Sequence, residues 1–241
     1  MTVSKIIYTN GILTNPRQAA ETAEQIHRLT GVNTEVMHNG STSVEVAGDL
    51  GSHLLTGVAR LAWYAFNSKD TKTRDQGLDS LHRALKIWMG IQETKGSCAQ
   101  TLVGRVQAYL DANPQQDILL IFHSQGTHVG LQALSELQDY RGRIHVIGMG
   151  GMVRIPESLA KTVVNFAHTD DPVSNYVAPV VGPHGERVEI GEGGHNASSY
   201  LENPSFVNYL LGHRIIEQAP ALGESRMIAP IHNPSLMVEI C

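Results

Sequence analysis

Two cysteines in 241 residues, Cys98 and Cys241, are too few for a disulfide framework, so nothing in the composition requires an oxidising compartment. Basic residues are also scarce. The 18 lysines and arginines stand against 23 aspartates and glutamates, a formal net charge of −5, and they form no stripe, which excludes nucleic acid as the main partner. No run of about 18 apolar residues is present, so no membrane-spanning helix is expected. The opening MTVSKIIYTNG has no charged start leading into a long apolar run. We therefore expect no signal peptide and a cytoplasmic chain, with export by a signal-independent route left open.

Cofactor motifs are missing as well. GMGG at 148–151 lacks the third glycine of a dinucleotide fingerprint and runs into MVRIP rather than a helix, and no Walker lysine follows a glycine-rich loop. Twelve histidines are present, but without an H-E-x-x-H pattern or clustered Cys/His spacing. His123 and His128 lie five apart, an awkward spacing for one ion. Neither metal nor cofactor is implied.

What is present is an alternation of apolar strands and amphipathic helices. At 41% apolar residues, the chain can bury one large core and is expected to form a single domain over 1–241. KIIYTNG (5–11) reads as a strand ended by an Asn-Gly turn. NPRQAAETAEQIHRLTG (15–31) reads as a helix with Asn15 as cap, Pro16 at its first position and Gly31 beyond its end. VNTEVMHN (32–39) is strand-like. Helical stretches follow at about 48–67 and 75–92, then a third capped by Ser97 and stopped by Pro114. Further strands are expected at 142–151, 161–173 and 186–191, the last being the final one, with a closing helix at 196–213. Strands separated by helices predict an α/β fold. Its form is a doubly wound, mostly parallel sheet flanked by helices in a three-layer sandwich.

The sharpest feature is ILLIFHSQGTHVG (118–130). Ile118 to Phe122 form an apolar run without alternation, the pattern of a central parallel strand covered on both faces. Apolar side chains then recur at spacings of three and four through Leu137, so strand turns to helix within about three residues of Ser124. Such a turn lifts the serine hydroxyl above the sheet end and aims the first helix amides at the same place. A plain helix cap is the other role open to a serine here.

The arrangement resembles the α/β-hydrolase superfamily, whose nucleophile elbow G-x-S-x-G is matched by Phe122-His123-Ser124-Gln125-Gly126. The Ser-Gln-Gly core is similar to that of cutinase-like and small lipase-like members. One position departs from the pattern. Phe122 stands where the first glycine would be, which predicts an elbow that is packed differently or less strained.

Serine needs an imidazole to take its proton and a carboxylate to orient that imidazole. The resemblance implies the chain order serine, acid, histidine. Asp-Pro-Val after the strand at 161–173 selects Asp171 over Asp170, although either aspartate can simply form the turn before proline. Four histidines follow: His184, His195, His213 and His232. Only His195 sits after a strand and a flexible GEGG loop, at the carboxyl edge of the sheet where open α/β folds place their sites. His123 is expected to pack beside the site. The oxyanion donors implied are the amide of Gln125 and, from the loop after the first strand, amides among Asn10, Gly11 and Ile12, with Gly11 and Ile12 preferred.

Leu50, Leu54, Leu55, Val58, Leu61, Trp63, Tyr64 and Phe66 are too many apolar side chains for one narrow helix face. The segment 48–96 is either core or a helical insertion capping the serine. In the second case Trp63 and Phe66 would line an acyl pocket; in the first, the pocket falls to the loops around Met149 to Val153 and Val173 to Val181, at the carboxyl ends of strands. These observations together point to a serine esterase or lipase-like enzyme acting on a small-molecule or lipid ester. A non-catalytic hydrolase-fold binding module and an acyltransferase with the same residues are the alternatives. Acyl chain length and oligomeric state are not legible.

Overall fold

A computed structural model of the chain describes residues 3–11, 14–39, 70, 72, 97–178, 185–212 and 238–240. Among the described residues seven strands form one sheet: β1 (Val3–Thr9), β2 (Thr34–His38), β3 (Asp117–His123), β4 (Ile144–Met149), β5 (Thr162–Ala167), β6 (Arg187–Glu189) and β7 (Val238–Ile240). They lie in the order β6-β5-β4-β3-β1-β2-β7. Every pairing between neighbours is parallel.

The helices follow from the strand order. Parallel neighbours need right-handed crossovers, so a change in the direction of winding moves the connecting helix to the other face. From β1 to β2 the chain moves toward one edge, through α1 (Pro16–Thr30). It then returns past β1, with α2 (Ser97–Ala112) before β3 and α3 (Gly126–Glu136) before β4. From β6 to β7 it runs back in the first direction through α4 (Ala197–Glu202) and α5 (Pro204–Gly212). Accordingly α1, α4 and α5 share one face, where Ala19, Ala23, Ile26, Tyr200 and Phe206 pack on Ile6, Leu119 and Ile147. On the other, Leu102, Val106, Val129 and Leu134 of α2 and α3 pack on Ile7, Leu120 and Val146. Alternate residues of each central strand feed opposite cores.

Local signals explain several boundaries. Asn15 accepts from the Gln18 amide at 2.9 Å while the Gln18 side chain accepts from the Asn15 amide at 3.1 Å. That reciprocal capping box starts α1, and Gly31 at φ 69° ends it in the left-handed region. The closing helix expected over 196–213 is instead two helices. Proline disfavours helical backbone in the residue before it, so Asn203 is extended (φ −75°, ψ 122°) ahead of Pro204. The Asn203 side chain then caps α5 by accepting from Ser205 N at 2.9 Å. Nor is β6 the last strand, since β7 pairs with the free edge of β2.

The bulk of Phe122 is accommodated one helix on. Its ring is fully buried and lies against Gly130 of α3, where a Cβ would come within 2.6 Å of the ring. The space normally left by a glycine in the elbow is left by Gly130. Cys98, near the start of α2, is disulfide-bonded. Among the described residues no helix is long and apolar enough to cross a membrane.

At the opposite end of the sheet from the serine, Asp117 is fully buried. It accepts from Lys161 Nζ at 2.7 Å and from His145 Nε2 at 3.1 Å. Burial raises the Asp117 carboxyl, but the bonds and charges of Lys161 and His145 outweigh it and hold the group below the usual carboxylate range. A depressed folded value means stability that is present above the unfolded value, about 4, and lost as pH falls through the folded one. Asp117→Asn is therefore expected to destabilise the protein near neutral pH, by urea denaturation, and the gap to wild type should close as the pH is lowered below about 4.

Candidate active site

In an open parallel sheet the crevice lies beyond the carboxyl ends of the strands where winding reverses, here between β1 and β3. Both ends are occupied by the expected residues. Ser124 follows β3 directly and has φ 55°, the one non-glycine residue with positive φ among those described. That conformation is strained for a side-chain-bearing residue and marks a constrained site. Three main-chain bonds hold it: Ser124 N donates to Met149 O at 3.0 Å, and Thr127 N and Met152 N donate to Ser124 O at 3.1 and 3.2 Å. Met149 itself is fully buried in the core, and its carbonyl is one of the groups that hold the elbow.

His195 and Asp171 complete a chain of hydrogen bonds. His195 Nε2 lies 2.9 Å from Ser124 Oγ. Its Nδ1 lies 2.9 Å from each oxygen of Asp171. Asp171 is fully buried after β5. Its Oδ1 accepts from the amides of Val173 at 2.8 Å and Ser174 at 3.2 Å, and its Oδ2 from the Tyr200 hydroxyl at 2.6 Å. Burial raises the Asp171 carboxyl, but the bond and charge of His195, then the hydroxyl of Tyr200 and the Ser174 amide, bring it below its ordinary value. It is therefore an anion at neutral pH. Nδ1 of His195 then carries the proton shared with Asp171, leaving Nε2 to accept from the serine.

The loop bearing His195 is clamped through its main chain. Asp170 Oδ1 accepts from the amides of Gly193 and Gly194, both at 2.9 Å. His168 Nδ1–H donates to Gly194 O at 2.9 Å, and His123 Nε2–H donates to His195 O at 2.8 Å. His123 packs beside the site as expected, with its ring 5.0 Å from that of His195. Burial and the neighbouring charge of His195 push His123 down to about 4, so it stays a neutral donor. Asp170, read as a turn former, thus has a second task that motif spacing does not encode.

Gly11 and Gly150 lie too close to the serine, histidine and aspartate for any side chain. A Cβ on Gly11 would meet Ser124 Cβ at 2.6 Å and Oγ at 3.1 Å, so the end of the β1 loop lies directly against the serine. Asn10 Oδ1 accepts from Asn39 N at 3.0 Å, and Asn39 Nδ2 donates to Gln125 Oε1 at 3.1 Å. These buried amides tie the ends of β1 and β2 to the elbow. Gln125 opens α3 in helical conformation (φ −61°, ψ −25°). Gly150, part of the GMGG run, has φ 55°, and a Cβ there would fall 2.4 Å from Asp171 Oδ2 and 3.1 Å from His195 Nδ1. Gly150→Ala is expected to displace this carboxylate and lower kcat on an ester substrate by on the order of 10²-fold, with the far-UV circular dichroism unchanged.

Ile12, Trp63, Phe66, His184, His213, His232 and nearly all of 48–96 lie outside the described residues. Among the described residues no cluster of three or more His, Cys, Asp or Glu is arranged to hold a metal ion. No family model matches the chain, and no curated protein is similar to it at a significant level.

Proposed function

We propose that the chain is a serine hydrolase of carboxylic esters, short or lipid-like, acting through an acyl-enzyme on Ser124. The observation that carries this reading is the continuous bond chain from Ser124 Oγ through His195 to a buried, anionic Asp171, set on a strained elbow at the switch point of the sheet. The α/β-hydrolase resemblance agrees with it. All-parallel α/β architecture with an elbow serine is compatible with that superfamily.

Ser124 Oγ attacks the ester carbonyl while His195 Nε2 takes its proton, and Asp171 stabilises the imidazolium that forms. Negative charge develops on the carbonyl oxygen. The amides of Gln125 and of the Gly11–Ile12 segment are the proposed donors to it, each worth about 3 kcal/mol of barrier. His195 then protonates the leaving alcohol, and water, deprotonated by the same ring, releases the acid. Trp63 and Phe66 remain proposed acyl contacts on sequence grounds alone.

The test is turnover of p-nitrophenyl esters of increasing chain length, with the acyl product followed in the presence and absence of added alcohol. We expect nitrophenol release with free acid as the product. An acyl group captured by the alcohol in preference to water would reassign the chain to acyl transfer. A folded protein that releases no nitrophenol from any ester would leave the binding-module alternative.

A further inference from the structure

We infer that Tyr200 is a positioning residue whose buried hydroxyl sets how strongly Asp171 holds the proton on His195; this rests on the hydrolase reading above. Tyr200 lies in α4, which begins two residues after His195, and it is fully buried. Its oxygen accepts from the His168 amide at 3.1 Å. With that lone pair engaged, the phenolic proton is directed at Asp171 Oδ2, 2.6 Å away. The His168 ring lies over the tyrosine ring at 4.0 Å between centroids, and its Nδ1–H is itself tied to Gly194 O. The hydroxyl is thus aimed from both sides.

Two amides already satisfy Asp171 Oδ1. A tyrosine hydroxyl that donates to the acid of the bond chain changes the chemistry of that acid. Each donor on a carboxylate disperses its negative charge and loosens its hold on the imidazolium. Among the described residues, the titratable groups facing this pair are His123 from β3, His168 and Asp170 after β5, and Asp171. His123 touches only the His195 carbonyl among these bonds, and Asp170 only loop amides. Among the described titratable groups, Asp171 is the one that contacts both the Tyr200 hydroxyl and the His195 ring. Removing the hydroxyl concentrates charge on Asp171, the imidazolium persists to higher pH, and the neutral base appears later.

The experiment measures the second-order rate of Ser124 modification by a fluorophosphonate as a function of pH. The serine oxygen forms a bond to phosphorus, fluoride leaves, and the hydroxyl proton passes to His195, so the rate requires a neutral imidazole. Tyr200→Phe is expected to raise the midpoint of the acid limb by about one pH unit, a tenfold slower reaction well below the midpoint. Incorporation of 3-fluorotyrosine at position 200 makes the phenol a stronger donor and is expected to lower the midpoint; it decides the question alone if Tyr200→Phe does not fold. Unmoved midpoints in wild-type, Tyr200→Phe and fluorotyrosine proteins, with only the plateau changed, would reduce Tyr200 to a packing residue. Failure of wild-type Ser124 to react at any pH would instead overturn the hydrolase reading itself.

Discussion

Ser124→Ala is expected to lower kcat on p-nitrophenyl acetate by about 10⁴-fold or more, about 5.5 kcal/mol of barrier, with the fold retained. The hydroxyl is the only atom removed, and its bond is to His195 Nε2. The φ of 55° is held by main-chain bonds to Met149, Thr127 and Met152, which alanine keeps. Alanine is no more strained there than serine, so stability by urea denaturation should change little. Activity above a few per cent of wild type in a clean preparation would remove Ser124 from the role of nucleophile.

Asp171→Asn should lose a comparable factor, about 10⁴ in kcat, while leaving ester binding nearly unchanged. Both carboxylate oxygens lie 2.9 Å from His195 Nδ1. An amide presents an N–H₂ in place of one of them, which favours the imidazole tautomer with its proton on Nε2 and denies the serine its base. Asp170→Asn keeps an oxygen able to accept from Gly193 and Gly194, so its loss should be far smaller. A reversed order of effects would transfer the orienting role to Asp170. Equal, small effects would leave the serine and histidine without an acid.

The three residues of this chain were legible because each sits beside a feature with a local signature. An apolar strand runs into Ser124, Asp-Pro-Val follows a strand at Asp171, and glycines precede His195. What surrounds them was not. Tyr200 lies on a short helix where an aromatic side chain reads as core, and core it is, apart from one hydroxyl. Asp170, His168 and His123 act on main-chain atoms of the 191–195 loop. Residue type shows that a side chain can donate or accept, but not which distant amide or carbonyl it meets. In sequence Gly150 belongs to an incomplete nucleotide motif, whereas in the fold it lies against a carboxylate 21 residues later, Asp171.

The fold shows the same division. α1 was readable to the residue because Asn15, Pro16 and Gly31 are local signals. The break at Pro204 was also local and is explained by the restriction proline places on Asn203. β7 was not readable, because three residues carry no period and gain their pairing from the exposed edge of β2. Phe122 was understood only through Gly130, whose missing side chain makes room for the ring across a strand and a turn.

Whether Ser124 acts as an activated nucleophile is decided by mass spectrometry of the folded protein after treatment with a fluorophosphonate. One adduct per chain is expected, mapped to the peptide carrying Ser124 and absent from Ser124→Ala. A folded wild-type protein that takes no label, or a Ser124→Ala protein that is labelled as fast as wild type, would contradict it.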